Sequence, residues 1–472
     1  MPPYPLCVDC DGTLLRTDLL HESVFLLAKQ SPLSLLQLPH WLSRGKAHMK
    51  QQIAQRVQFD FDSLPVCEEV VEQIRLARAE GRRVVLVTAS PRPWAEGVAR
   101  RIGLFDEVLA SNEHTNLAGR QKGELLAERF GDRQFDYAGN ANADLAVWER
   151  AAGAVVVSSS ARLVRAAGKR ATVHAVITPA RATPLTYLKA LRLHQWLKNL
   201  LVWVPLAAAH QLGSVHGVSQ GLLAFLAFSL CASAVYVLND LLDLESDRTH
   251  HRKSQRPFAS GAIPVWQGAV LIPLLLLASL ALAWLLPLAF LAVLAGYFAM
   301  TLAYSVRLKR QVIVDVMMLA ALYTIRVIAG AAATEVLPSF WLLAASMFLF
   351  LSLAMIKRYS ELLITLQQNK QTAAGRGYSV QDLPVLMSIG VSAGMVGVLV
   401  LALYVNAPES TALYRHKLWL WLLPPVMLYW ISRIWMKAHR GEVDDDPVVF
   451  AARDWQSQVI AAALVALLWL AA

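Results

Sequence analysis

Cysteine is scarce in this sequence. The four that occur, Cys7, Cys10, Cys67 and Cys231, show no spacing of an extracellular disulfide framework. Cys7 and Cys10 have a redox- or zinc-like spacing, but in a β-strand an offset of three points the two side chains to opposite faces, which argues against a shared site. A basic-then-apolar leader is also lacking at the start, so the N-terminal domain is expected to be cytosolic. Polar residues are too few for a chain that is soluble throughout: 56% of the residues are hydrophobic and the mean hydropathy is +0.43. The first 180 or so positions nevertheless read as an ordinary globular domain, so one soluble and one embedded domain are implied. The formal net charge of +10 could suggest nucleic acid. The basic residues of the second half instead gather in short loops between apolar runs, a pattern of membrane topology, and no nucleic-acid partner is expected.

Nine apolar segments follow one another at about 197–212, 217–238, 267–286, 288–305, 314–334, 338–356, 383–405, 418–436 and 457–472. Several approach the roughly 20 residues needed to cross a hydrocarbon core of about 30 Å. With the N-terminus inside, the predicted cytosolic loops hold Arg248–Arg256, Arg307–Arg310, Lys357–Arg376 (including Lys370) and Arg433–Arg453, whereas the external loops carry Arg415 and Lys417. The positive-inside rule is thereby satisfied, and the protein is expected in a bacterial cytoplasmic membrane. Gly390 and Gly394 in the seventh span are placed for close helix packing.

The densest polar stretch runs from Tyr236 to Gly261. On a helix, Asp240, Asp243 and Asp247 fall at i, i+3 and i+7, within about 60° on one face. Three such carboxylates repel unless a cation lies between them, and carboxylate oxygens with substrate phosphates suit Mg²⁺. The plain alternative is a solvated acidic helix end. Against it, the run follows an apolar segment at a membrane boundary and leads into Arg248, Arg252, Lys253 and Arg256, a setting in which ionisable residues are functional by default.

Three further clusters fall on the cytosolic side. Lys198 and Asn199 follow Trp196 at the opening of the first span, where an interfacial anchor is the simpler reading. Tyr304, Lys309 and Asp315 precede and open the fifth span, with Arg326 about three turns beyond Asp315 and so on the same face. Lys357, Arg358 and Glu361 leave the sixth span. Together they offer a cationic surround for anionic substrates.

In the first domain, Pro5–Val8 forms a short apolar strand that ends in Asp9-Cys10-Asp11-Gly12-Thr13. This DxDGT stretch resembles the first motif of the haloacid dehalogenase (HAD) superfamily of phosphohydrolases. Three more stretches stand in the family's order: the buried strand Arg83–Ser90, which carries Thr88 and ends in a hydroxyl residue, then Lys122, then Tyr137-Ala138-Gly139-Asn140-Ala141-Asn142-Ala143-Asp144. The resemblance implies a nucleophilic Asp9, an Asp11 that acts as acid and base, and Thr88 and Lys122 holding the phosphoryl group. It also implies Mg²⁺ among Asp9, Asp11, Asn140 and Asp144. Asn140 departs from the usual acid, which lowers the charge of the metal site and leaves a docking or regulatory domain as the alternative to a phosphatase. Helices such as His21–Gln30 and Glu68–Glu80 match the family's small cap, and the apolar stretch Ser34–Leu42 is read as cap core rather than a membrane-facing lip. Ala154–Val157 is read as the last strand, followed by a basic stretch from Arg162 to Arg170.

From about Leu185 onward the chain resembles the UbiA superfamily of intramembrane prenyltransferases, through Asn239, Asp240, Asp243 and Asp247 and through Tyr304, Lys309 and Asp315. Within it the resemblance is closest to the decaprenyl-phosphate phosphoribosyltransferases. Gln195-Trp196-x-Lys198-Asn199, the His250–Gly261 run, Tyr323-x-Ile325-Arg326-x-x-Ala329-Gly330 and Lys357-Arg358-x-x-Glu361 carry it. The resemblance implies an α/β Rossmann-like HAD domain over 1–177 with a small helical cap, a linker over 178–186, and an all-α UbiA-like domain of nine transmembrane helices over 187–472. It further implies Mg²⁺-dependent transfer of 5-phosphoribose from phosphoribosyl diphosphate to a polyprenyl phosphate, with the HAD domain removing the 5-phosphate. Asp240, Asp243, Asp247 and Asp315 would then be catalytic. Lys198, Asn199, Asn239, Lys253, Arg256, Tyr304, Lys309, Arg326, Lys357 and Arg358 would bind substrate, and a homo-oligomer is allowed. The competing reading is an aromatic, 4-hydroxybenzoate-type polyprenyltransferase with a regulatory or inactive HAD domain. Acceptor and sugar phosphates call for an excess of cations that a neutral phenol does not.

Overall fold

The computed structural model describes residues 4–112, 115–179, 182–369, 371–372, 376–443 and 446–472. Lys370 of the basic loops and Ala180 and Arg181 of the expected linker lie outside them. The chain divides into two compact units, Met1–Leu191 with Tyr236–Ile272, and Arg192–Val235 with Pro273–Ala472.

In the first unit six strands form one parallel sheet in the order β3-β2-β1-β4-β5-β6. They are β1 (Leu6–Val8), β2 (Val84–Pro91), β3 (Glu107–Ser111), β4 (Asp136–Gly139), β5 (Gly153–Val157) and β6 (Thr172–Ile177). The central strands are nearly continuous runs of Val, Leu and Ala because both faces of the sheet are covered. Val70, Ile74, Trp94 and Val98 from the Glu68–Ala79 and Arg92–Ile102 helices pack on one face. Leu126, Leu163 and Ala167 from Arg120–Phe130 and Ala161–Gly168 pack on the other. Cys7 and Cys10 fall in these two different clusters, and all four cysteines are free thiols.

Two expectations need correction here. The Arg162–Arg170 stretch does not leave the domain; it forms a helix, and β6 follows at the sheet edge. From Thr172 to Val176 its residues alternate between exposed and half-buried, with only Ile177 buried, and that solvated edge supplies little of the apolar signal that marks the interior strands. The Ser34–Leu42 stretch puts Trp41 in the core, yet Leu36 and Leu42 are exposed. The remainder of this unit holds the Pro184–Leu191 helix and the Tyr236–Ile272 segment, joined by a core of Ala190, Val237, Leu241, Phe258 and Ile263.

Among the described residues six helices are long and apolar enough to cross a membrane, or seven if the bent pair Pro447–Arg453 and Trp455–Ala471 counts as one span. The protein is therefore an integral membrane protein. The predicted 197–212 span is not a regular α-helix: Leu193–Trp203 winds as a 3₁₀ stretch and continues as the short helix Val204–Ala208. The 418–436 and 457–472 segments become 17-residue helices, Leu423–His439 and Trp455–Ala471, about 25 Å long and shorter than a hydrocarbon core. Within the second unit, a Cβ at Gly390 would stand 2.2 Å from the Trp435 ring and one at Gly394 2.7 Å from Ile431, so these glycines do admit the Leu423–His439 helix closely. Gly330 admits the backbone of Val202 in the same way, at 1.9 Å from its carbonyl oxygen.

Candidate functional site

In the first unit the Val215–Leu242 helix ends just before Asp243, whose φ and ψ of −105° and 16° bend the chain into Leu244–Arg248. The backbone ladder crosses the bend, with Asp243 N–H donating to Asn239 O at 2.9 Å and Asp247 N–H to Asp243 O at 2.8 Å. The three carboxylates therefore do not share one straight helical face as expected. Asp240 and Asp247 converge on Arg256, whose Nη1 lies 3.2 Å from Asp240 Oδ1 and 2.5 Å from Asp247 Oδ2. Asp243 faces Lys29 at 3.7 Å. Like charges on one face repel, and the bend with its intervening guanidinium relieves that repulsion. Burial pushes the Asp247 carboxyl up; Arg256 opposes this and Asp240 adds to it, and the balance is upward.

Among the described residues no three His, Cys, Asp or Glu side chains group as a metal site. Two buried carboxylates already sharing one cation still fit Mg²⁺, which takes one or two protein carboxylates and completes its shell with water and phosphate oxygens. Lys253 is half-buried in a short turn where its N–H reaches His250 Nδ1 at 3.5 Å, and Asn239 is half-buried at the helix end.

The second unit holds two polar clusters. Asp315, in the first turn of Val314–Thr334, is fully buried and accepts from Tyr304 Oη at 2.8 Å, Arg358 Nη2 at 3.0 Å and Arg376 Nη1 at 3.3 Å. Arg358 also pairs with Glu361, and the carbonyl of Lys309 accepts from Arg376 at 3.4 Å. Arg326, on the same helix, does not join this group. Its Nε donates to Asn199 Oδ1 at 2.9 Å, and its guanidinium lies 5.3, 5.1 and 5.8 Å from the ring centres of Phe228, Tyr297 and Tyr323. Lys198 pairs with Asp446 and stands 5.7 Å from the same Tyr323 ring. An Arg and a Lys this deeply buried need such pairing and ring faces to offset their desolvation. Lys357 is half-buried beside Arg358.

In the sheet domain, Asp9 follows β1 and accepts from Lys122 Nζ at 2.6 Å. Burial drives the Asp9 carboxyl up to about 7, with Lys122 pulling it down and Asp144 and Asp11 pushing it up. For Lys122 burial works against the ammonium, but Asp9 and Asp144 outweigh it and raise its pKa. Asp11 accepts from Leu19 N–H at 2.8 Å, Ser90 Oγ at 2.7 Å and Thr88 Oγ1 at 3.4 Å, and burial followed by Asp18 raises its carboxyl too. Asp144 accepts from Tyr137 Oη and from the N–H groups of Asn140 and Ala141, each at 2.9 Å. Asn140 packs over Gly12, where φ is +74° and a Cβ would meet Asn140 Nδ2 at 2.1 Å. A bulkier or β-branched residue could not take that turn.

Several residues of these clusters escape the sequence reading. Ser90 and Tyr137 give no signal beyond lying on strands of the motif, and Arg376 sits in a polar loop. Asp446 closes an acidic run whose first two members, Asp444 and Asp445, lie outside the described residues. Glu361, by contrast, is named in the sequence reading, and its pairing with Arg358 three residues away on one helix follows from helical spacing.

A family model for the UbiA prenyltransferase family matches residues 200–470, and one for haloacid dehalogenase-like hydrolases matches residues 6–134. A Sinorhizobium fredii protein named "Uncharacterized protein y4nM" is 37% identical over 461 residues, covering 97% of this chain and 89% of its own. A decaprenyl-phosphate phosphoribosyltransferase of Mycobacterium tuberculosis is 42% identical over 178 residues, 37% of this chain and 59% of that protein. Among solved structures, a UbiA homolog from Archaeoglobus fulgidus bound to GPP and Mg²⁺ covers 61% of this chain and 99% of its own, with 18% identity and a TM-score of 0.46.

Proposed function

This chain belongs to the UbiA prenyltransferase family and carries an N-terminal HAD-like domain; from that premise we propose that it transfers 5-phosphoribose from phosphoribosyl diphosphate to a polyprenyl phosphate. The observation that carries the reading is the stock of buried cations held on aromatic and carboxylate partners, Lys198, Arg326 and Arg358 above all. A donor with a diphosphate and a 5-phosphate and an acceptor with its own phosphate bring three anionic groups to such a stock, whereas a neutral phenol brings none. The stretch of similarity to the Mycobacterium tuberculosis phosphoribosyltransferase points the same way.

Asp240 and Asp247, with Asp243, would hold Mg²⁺, whose charge would stabilise a departing pyrophosphate. Asn239, Lys253 and Arg256 flank those carboxylates and would bind phosphate oxygens. An oxygen of the lipid phosphate forms the new bond to the anomeric carbon while the bond to pyrophosphate breaks and takes its electron pair. The attacking oxygen is already anionic, so no general base is needed. Tyr304, Lys309, Lys357 and Arg358 would receive anionic groups, with Asp315 fixing Arg358 and Tyr304 in place.

In the HAD-like domain, Asp9 would attack the 5-phosphate of the product, Asp11 would protonate the departing sugar oxygen, and Lys122 and Thr88 would steady the phosphoryl group. Asp9, the Asp11 backbone, Asn140 and Asp144 would surround its Mg²⁺. Nine crossings with this domain in the cytoplasm complete the reading; the Leu193–Ala208 stretch and the two 17-residue helices make up the short ones.

The test incubates detergent-purified protein with Mg²⁺, a short polyprenyl phosphate and phosphoribosyl diphosphate and follows the lipid mass. A gain of phosphoribose that is lost in Asp240→Asn supports the transfer, and a gain of ribose alone that reverts to phosphoribose in Asp9→Asn supports the hydrolysis. Prenylation of an aromatic acceptor, with no sugar on the lipid, would overturn the proposal.

A further inference from the structure

Arg248 follows Asp247 directly, and its guanidinium is committed on every side. Nη1 lies 2.9 Å from Glu22 Oε2, Nη2 pairs with Glu22 Oε1, and Nε donates to the carbonyl of Ala259 at 3.0 Å. One side chain thus ties together the two ends of the loop that carries Asp247 and Arg256 and fastens both to the HAD-like domain. Side-chain exposure is 5% for Arg248 and 1% for Glu22, so the fork is desolvated and directional, unlike a surface pair.

Further contacts within the same unit follow the same seam. Asp60 N–H donates to Glu245 Oε1 at 3.0 Å, and Gly261, at φ +74°, approaches Arg16 so closely that a Cβ would lie 2.7 Å from its carbonyl oxygen. On the other side, Glu22 lies in the first turn of the Leu19–Gln30 helix, takes a hydrogen bond from Thr17 Oγ1, and is one turn from Leu19, whose N–H is held by Asp11.

We infer that Glu22 is a positioning residue for the diphosphate site, through which the HAD-like domain holds the Asp247–Arg256 loop in register. What the loop binds rests on the transferase reading above; the bracket itself does not. Glu22 touches no substrate and acts through Arg248. Without it Arg248 loses its fork, and the loop that brings Arg256 to Asp240 and Asp247 loses its tie to the HAD-like domain. The HAD-like domain is then part of the transferase site by construction, whether or not it hydrolyses anything.

Hydrogen exchange read by mass spectrometry on the full chain in detergent tests this, with Glu22→Gln as the variant and Glu69→Gln, from the exposed Arg16–Glu69 pair, as control. Glu22→Gln should speed exchange across 248–261 by about tenfold or more while β1–β6 keep their protection. It should also raise the phosphoribosyl diphosphate concentration for half-maximal rate by about ten- to a hundredfold, the range seen when groups orienting metal ligands are removed, with a smaller effect on the saturated rate. Glu69→Gln should do neither. Unchanged exchange over 248–261 in Glu22→Gln would overturn the inference. Should Glu22→Gln loosen the whole sheet, Arg248→Lys, which keeps the charge and removes the fork, decides in its place by the same two readouts. Mg²⁺ with pyrophosphate should slow exchange over 248–261 in the unaltered protein; if it does not while Glu22→Gln still speeds exchange, the transferase reading fails and the bracket stands.

Discussion

Replacing Arg256 by methionine keeps most of the side-chain length and removes the cation shared by Asp240 and Asp247. Those two carboxylate side chains are 3% and 4% exposed, and Arg256 reaches them at 3.2 and 2.5 Å. Removing one partner of a buried ion pair costs about 3–5 kcal/mol. Arg256 is itself 28% exposed, so solvent screens part of the interaction and the lower end, about 3 kcal/mol or about two decades in the folding equilibrium, is expected. The sign with metal is opposite. In the unaltered protein a divalent cation competes with Arg256, whereas in Arg256→Met that guanidinium no longer competes; at a hundred times its dissociation constant it would return about 2.7 kcal/mol. The carboxyl of Asp247, already raised by burial, should rise further without Arg256, so the defect should shrink as the pH falls and Asp247 takes up a proton. Thermal unfolding of detergent-purified protein in EDTA and in Mg²⁺, with the EDTA melts repeated across a pH series, reads all three effects. A variant that melts with the unaltered protein in EDTA, or a Mg²⁺ shift of equal size in both, would refute the claim that Arg256 occupies the cation position.

Two further outcomes follow from the other clusters. Arg358→Met should lower stability by about 3–5 kcal/mol, because it leaves the fully buried Asp315 and its neighbour Glu361 short of a cation, whereas Arg376→Met, at a 21% exposed side chain, should cost clearly less since Arg358 stays on Asp315; the reverse order in thermal melts would show that Arg376 is the main counter-charge. Hydrolysis of p-nitrophenyl phosphate by the HAD-like domain should rise with pH through about 7, as Asp9 loses its proton and becomes nucleophilic. Since native Asp9 holds that proton to about 7 and the unfolded chain releases it near 3.8, its contribution to stability should fall as pH rises between those values, and a rate profile flat across neutrality would contradict the assignment.

The folds of both parts were legible wherever the chain stays regular. A buried parallel strand has to be an apolar run, so β1, β2 and β4 could be located from sequence, each ending in its acid, hydroxyl or glycine. β6 lies at an edge, where every second side chain from Thr172 to Val176 is exposed and the pattern fades. Long apolar helices were equally readable, since lipid demands them. The 197–212 segment was not, because an apolar stretch gives no notice of winding as a 3₁₀ turn before a proline at Pro205.

The candidate sites were legible as residue types but not as partnerships. Helical spacing correctly grouped Asp240 with Asp247, yet it assumed a straight helix through Asp243, where the chain bends and sends that carboxylate toward Lys29. Spacing likewise put Asp315 and Arg326 on one face, but three turns separate their side chains along the axis, and each found partners on other elements. Asp315 is met by arginines 43 and 61 positions away, and Arg326 by an asparagine 127 positions away. No periodicity encodes such separations, because they are set by which helices pack together. The same reasoning explains why Arg248 read as one more loop cation: the stretch after it, Thr249 to Arg252, is polar and exposed, and only the approach of Glu22, 226 positions away, turns it into a buried fork. A charge that local sequence would leave in water, but that the fold desolvates against a distant carboxylate, costs the structure free energy that only well-directed hydrogen bonds offset, and those bonds fix one geometry. That cost is the physical ground for assigning the Glu22–Arg248 pair to the positioning of the Asp-bearing loop rather than to surface decoration.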